Sequence, residues 1–221
     1  SHGNRIMNEA TQQTITAGDD RLRMTVHRQS DSVLLTLDDL ETGRKWGPSV
    51  LLALEIYDRT MQRVQRLETY RVDAVDAVED GVHVTVGDSY RKVSVGLWAR
   101  IRNGELEVLL PPTEVYERDT RRCRVFAVDV LPDLLTVGTR GVLVLPVGGG
   151  ALCHPGGKPK LSDRFLIYLE QGRWEICSML PVAAAYDADG GLALLAVEGD
   201  CDTECRVATD GKGNGTVGFA A

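Results

Sequence analysis

The feature that most constrains this chain is a two-residue alternation of apolar and polar side chains, repeated along most of its length. Leu22-Arg23-Met24-Thr25-Val26-His27, Val82-His83-Val84-Thr85-Val86 and the stretch from Leu67 to Val75 all follow it. The clearest case is Val93 to Ile101, where every odd-numbered residue is apolar. Such alternation is the mark of a strand with one face in a core and the other in water. Turn pairs separate the runs: Thr42-Gly43, Asp80-Gly81, Asn103-Gly104 and Asp189-Gly190-Gly191. Asn and Asp followed by Gly suit tight hairpins because both residues tolerate positive φ. About fourteen candidate strands recur at spacings of roughly 8–12 residues, the interval of sandwiches and barrels. No window carries a sustained helical period. Met61, Val64 and Leu67 could form one turn and Pro112 to Asp119 another. The fold class expected is therefore all-β, an antiparallel β-sandwich.

After residue 121 the pattern changes. Cys123 to Val130, Val142 to Val147 and Phe165 to Leu169 carry apolar residues at successive positions, as strands covered on both faces do. Two stacked sheets with a further layer or partner over one of them would explain this. Without that cover, self-association or an exposed apolar patch is expected, with Trp98 and the stretch from Met179 to Val182 as candidates. Residues 1–13 read as a flexible N-terminal segment in which Ser1-His2-Gly3 resembles the remnant of a cleaved tag. Residues 14–221 read as a single β-sandwich domain, since no linker, repeat or low-complexity tract divides them.

Charge narrows the partners. With 25 basic and 32 acidic residues the net charge is −7, and an acidic chain is a poor ligand for nucleic acid, whose binding needs phosphate neutralisation. The longest charge-free apolar stretch, Gly141 to Cys153, is broken by Pro146 and three glycines, so no membrane span is expected. The five cysteines, Cys123, Cys153, Cys177, Cys201 and Cys205, cannot all pair. The Cys201–Cys205 spacing with Cys153-His154 lacks the paired CxxC arrangement of a zinc ribbon. No metal or cofactor is expected.

Chemistry-bearing residues are scattered. His27 and His83 fall on polar strand faces and read as solvated. His154 stands in an irregular loop between two glycine-rich stretches, where binding residues concentrate. The Gly148-Gly149-Gly150 run lacks the spacing of a phosphate loop, and the glycines from Gly211 to Gly215 suit a hairpin tip. Glu198, Asp200, Asp202 and Glu204 alternate as an acidic strand end without calcium-loop spacing. Trp98 shares the polar face of its strand with Arg100 and is either a sugar platform or an anchor against another domain. Trp46 and Trp174 flank turns. Trp98, Arg100, His154 and Trp174 are thus the carbohydrate or interface candidates.

The second half also carries a segment order that resembles a known family. Arg122 to Leu131 ends in Leu-Pro, and Thr139 to Pro146 leads into Gly148-Gly149-Gly150-Ala151-Leu152. Then come Ser178-Met179-Leu180-Pro181-Val182 and the run from Gly190 to Asp200. This resembles the N-terminal, galactose mutarotase-like β-supersandwich of glycoside hydrolases of the endo-α-N-acetylgalactosaminidase type. There a "GYlxxPxGxGAL" segment precedes a "PVxGxxxxxxxxLAxxExGD" segment. The chain departs from it where Val147 and Gly148 replace an acidic residue and Ala183 to Ala185 replace a glycine. The resemblance covers about 100 residues and implies a supersandwich fold, a setting in carbohydrate metabolism and an extracellular or cell-envelope location. In that family the catalytic carboxylates lie on a (β/α)8 barrel, and no βα alternation occurs in this chain. A non-catalytic domain bracing such a barrel, and contacting carbohydrate, is the first expectation. A stand-alone aldose epimerase is the second, with His154 as acid and Glu198 or Glu175 as base. A protein-interaction module without sugar binding is the third.

Overall fold

The structure, a computed structural model, describes residues 13–147, 150–168 and 180–221. Its strand content is 65%, and every strand pairing is antiparallel. The all-β class expected from the alternation is the class observed. No helix among the described residues is long and apolar enough to cross a membrane.

The described residues form four sheets. The first is a meander of β1 (Gln13–Gly18), β2 (Leu22–Arg28), β3 (Val33–Asp39) and β4 (Lys45–Val50). It lies against the second, formed by β7 (Arg71–Val78), β8 (Gly81–Asp88), β9 (Val93–Arg102) and β10 (Glu105–Leu109), with β11 (Val115–Glu117) also on β9. The third sheet has the order β15-β18-β19-β12-β5-β6. Its members are β5 (Leu52–Asp58), β6 (Arg63–Leu67), β12 (Cys123–Val137), β15 (Leu161–Leu166), β18 (Glu204–Thr209) and β19 (Gly215–Ala220). The fourth sheet, packed on the third, runs β14 (Ala151–Cys153), β13 (Val142–Leu145), β16 (Val182–Asp187) and β17 (Gly190–Leu195).

The alternation translates directly into burial. Met24 and Val26 of β2, Val82, Val84 and Val86 of β8, and Val93, Val95 and Leu97 of β9 are all buried in one connected core. Asn103 and Gly104 both take positive φ in the β9–β10 turn, as the dipeptide predicts. The run from Leu67 to Val75 is divided between two strands instead of forming one. It spans the crossover from β6 in the third sheet to β7 in the second. Tyr70 anchors the crossover, its buried hydroxyl donating to the Leu52 carbonyl at 3.1 Å. The candidate helical turn at Met61 to Leu67 is a turn followed by β6, while Pro112–Glu114 is a 3-10 turn.

Of the later strands, β13 buries Val142, Leu143 and Leu145 on both faces as expected, whereas β15 departs from that expectation. β15 is an edge strand whose Leu161 and Leu166 are exposed. Leu161 and Leu166, five positions apart, lie on opposite faces of the strand, so neither face is covered at these positions. β12 comes nearer to the expected type. Its fifteen residues pair with β5 and β19, with register shifts in both ladders. Bulges of this sort bend a strand and let it serve two neighbours.

The third sheet also contains a charge cluster. Asp129 of β12 is 2% exposed. Arg206 Nη1, from β18, lies 2.7 Å from Asp129 Oδ1 and 2.6 Å from Glu55 Oε1 of β5. Arg66 of β6 pairs with the same aspartate, and Glu204 pairs with Arg206. The Arg206 side chain reaches over β19, where Gly218 stands opposite it in register. Removing one partner of a buried pair leaves an uncompensated charge, which costs about 3–5 kcal/mol. Arg206→Ala should therefore lower unfolding stability in urea by that order, whereas Arg164→Ala, at an exposed pair, should shift it by less than about 1 kcal/mol.

Candidate functional site

The outer face of β8 and β9 carries a second cluster, which combines aromatic and ionisable side chains. His83 and Trp98 stand directly opposite each other in the ladder. Their ring centroids lie 4.2 Å apart at 30°. The Arg100 guanidinium carbon is 4.6 Å from the Trp98 centroid, close enough for a cation–π contact. A fourth member comes from the 3-10 turn between β10 and β11. Glu114 Oε1 accepts from the Trp98 indole N–H at 3.0 Å, and Glu114 Oε2 lies 2.6 Å from His83 Nε2. An ionised carboxylate only accepts, so Nε2 carries the proton and, in the neutral ring, Nδ1 is left as the acceptor.

Local structure explains how Glu114 arrives there. β10 pairs with Trp98 to Arg102 of β9, and β11 pairs with Val93 to Val95. Between these two pairings the chain leaves the ladder at Pro111 and returns at Val115. The Glu114 side chain then settles over Gly96. A Cβ at residue 96 would stand 2.0 Å from Glu114 Oε2 and 3.1 Å from its Cβ. Burial raises the Glu114 pKa, but the hydrogen bonds from His83 and Trp98 and the charge of His83 outweigh it and hold the carboxyl below its usual value.

This cluster is a carboxylate-oriented imidazole on an open sheet face. Such a pair can relay a proton if a substrate reaches Nδ1. As a sugar platform, Trp98 is already engaged, with two stacked neighbours and its indole N–H bonded. Trp98 and Arg100 are thus brought together, and they are joined by two residues that the sequence did not single out for function. His83 falls in the alternation like any polar strand residue. For Glu114, the one available signal was Gly96, the position without a side chain in β9.

The other candidates are dispersed. His154 follows β14 and is exposed. Glu198 follows β17 and is also exposed. β14 and β17 are opposite edges of a four-stranded sheet, separated by three strand spacings, or about 14 Å. Cys153 aligns through Leu143 and Ala185 with Leu192, whereas Leu195 aligns with Val182. The two residues therefore also leave opposite ends of the sheet, and the structure does not assemble them into an acid–base pair. Trp174 and Glu175 lie outside the described residues. Trp46 is buried, with the Arg44 guanidinium 3.8 Å from its ring centroid. Cys123, Cys153 and Cys205 carry free thiols. Burial pushes the Cys205 thiol up to about 12. Among the described residues no group of three or more His, Cys, Asp or Glu is placed to hold a metal ion.

No protein family, curated protein or solved structure matches this chain.

Two predictions follow from the Glu114 contacts. Gly96→Ala should eject the carboxylate and break both of its hydrogen bonds, costing about 1–3 kcal/mol in denaturant unfolding. Glu114→Gln should show a pH-dependent deficit. A carboxyl whose pKa is lowered by folding stabilises the native state above its unfolded pKa, and this stabilisation is lost as pH falls through the folded value. The melting-temperature gap between wild type and Glu114→Gln should therefore be largest at neutral pH and close below about pH 4.

Proposed function

We propose that this chain is a non-catalytic β-sandwich domain of a carbohydrate-active enzyme, and that it braces a neighbouring catalytic domain. The observation that carries the reading is the fourth sheet, which is apolar on both faces. Its inner face, with Leu143, Ala183 and Ala185, is buried in the core. Its outer face forms a row in which Leu152, Val144, Ala184 and Ala193 stand side by side in register. Beside that row, Val182 pairs with Leu195 and Tyr186 with Gly191. Leu152 is 61% exposed, Leu195 62% and Tyr186 42%. A sheet face of this composition suits burial against another folded surface. The carbohydrate setting rests on the resemblance of the segments from Arg122 to Asp200 to the supersandwich of glycoside hydrolases. The dispersal of His154 and Glu198 agrees with a supporting role.

One observation favours the stand-alone epimerase instead: the His83–Glu114 pair, oriented and adjacent to an aromatic ring. Polarimetry with pure aldose anomers, together with aryl-glycoside assays on the purified chain, separates the readings. The expected result is no acceleration of mutarotation and no glycoside cleavage. Mutarotation lost on His83→Ala would overturn the bracing role in favour of the epimerase. Sugar titration by calorimetry distinguishes a carbohydrate-contacting domain from an interaction module without sugar.

A further inference from the structure

The β17 edge of the fourth sheet differs from most other sheet edges among the described residues. β4 is interrupted by Pro48, β6 carries Arg63 and Arg66, β10 carries Glu105 and Glu107, and β15 carries Asp163 and Arg164. β7 carries Arg71, Asp73 and Asp76, β1 turns Thr14 and Thr16 outward, and β14 is three residues long. Charges, proline and shortness are the usual protections of an open edge against pairing with another chain. β17, Gly190-Gly191-Leu192-Ala193-Leu194-Leu195, has none of them; β1 lacks them too, but it packs against β8 and β9 and is tied to β7 by Gln13 Nε2 donating to the Val75 carbonyl.

The hydrogen-bond parity of β17 is fixed by its hairpin partner. Ala196 donates its N–H to the Pro181 carbonyl. In an antiparallel ladder the inward bonds alternate, so Leu192 and Leu194 also turn inward to β16. Gly191, Ala193 and Leu195 then direct their N–H and C=O groups away from the sheet. The same three residues have exposed side-chain positions on the outer face.

We propose that β17 is a self-association edge, pairing antiparallel with β17 of a second copy across a two-fold axis at Ala193. This goes beyond the bracing role, since it uses the rim of the fourth sheet and leaves its face free. In this register Ala193 exchanges both backbone bonds with its symmetry mate, and Gly191 does so with Leu195 of the second copy. The bulkiest outward side chain therefore meets the position that has none. A Cβ on Gly191 would stand 3.0 Å from Tyr186 Cβ, so the tyrosine already shelters the glycine and offers Leu195 of the second copy an aromatic neighbour. On the opposite side of the sheet, Leu192 meets Leu194, continuing the apolar inner layer across the axis. The edge carries no charge to repel its copy. A six-residue ladder buries less than the roughly 800 Å² per partner of a standard stable interface, so the dimer forms reversibly and with concentration.

Sedimentation of the intact chain, from low micromolar to submillimolar, tests this. Wild type should show a monomer–dimer equilibrium. Ala193→Lys places two like charges face to face at the axis and should be monomeric throughout with an unchanged far-UV spectrum. Leu152→Lys, at the far edge of the same sheet, alters the bracing face but should dimerise like wild type. Should Ala193→Lys fail to fold, amide exchange of wild type decides: the Gly191, Ala193 and Leu195 amides must slow as concentration rises. A wild type that stays monomeric overturns the proposal. So does unchanged association of folded Ala193→Lys, or dissociation caused by Leu152→Lys instead. None of these results bears on whether the chain turns over sugars.

Discussion

Asp129 sets the terms for the third sheet. Its carboxylate lies near the middle of β12, out of water, and would be untenable there without Arg206 and Arg66. The two arginines come from β18 and β6, on opposite sides of β12. Glu55 of β5 and Glu204 of β18 pair in turn with these arginines. Only one alignment of these strands brings all five groups together, so the cluster fixes relative strand position in a way that interchangeable apolar side chains would not. β12 in turn ties that sheet to the rest. Leu131 donates to the Leu51 carbonyl, and the Asp133 N–H donates to Ser49 Oγ, both beside β4 of the first sheet.

The strands whose partners are local were legible in the sequence. β2, β8 and β9 alternate cleanly because one face meets a core and the other meets water, and adjacent hairpins close with turn pairs that name themselves. The crossover from β6 to β7 was not legible. Read as one alternating run, Leu67 to Val75 hides a slip of phase at Glu68-Thr69, where the apolar positions pass from Leu67 to Tyr70, Val72 and Ala74, and a slip of phase alone does not say that the chain changes sheet. The exposure of β15 was hidden for a related reason. Apolar content reports what could be buried, whereas edge position depends on long-range pairing with β18.

The candidate site was half legible. Trp98 and Arg100 share a polar strand face by simple counting, and the structure confirms their adjacency. His83 could be placed next to Trp98 only once the β8–β9 register was known. Glu114 lies in a proline-bounded turn sixteen residues beyond Trp98 in sequence. His154 and Glu198 illustrate the converse. Both looked accessible and chemically apt in sequence, yet the strand order sends them to separate corners of the fourth sheet.

The interrupted edge of β9 has a consequence for how this protein can change. Two short strands, β10 and β11, hold the chain to the same rail on either side of the turn that carries Glu114. The segment between them can lengthen or shorten while both rails stay engaged, because neither ladder register passes through it. Gly96 keeps a notch open beneath whatever that segment delivers. The arrangement separates the part of the chain that supplies chemistry from the part that keeps the sheet aligned. Lineages of this protein could therefore replace Glu114 with other groups, or with a longer loop, without renegotiating the core.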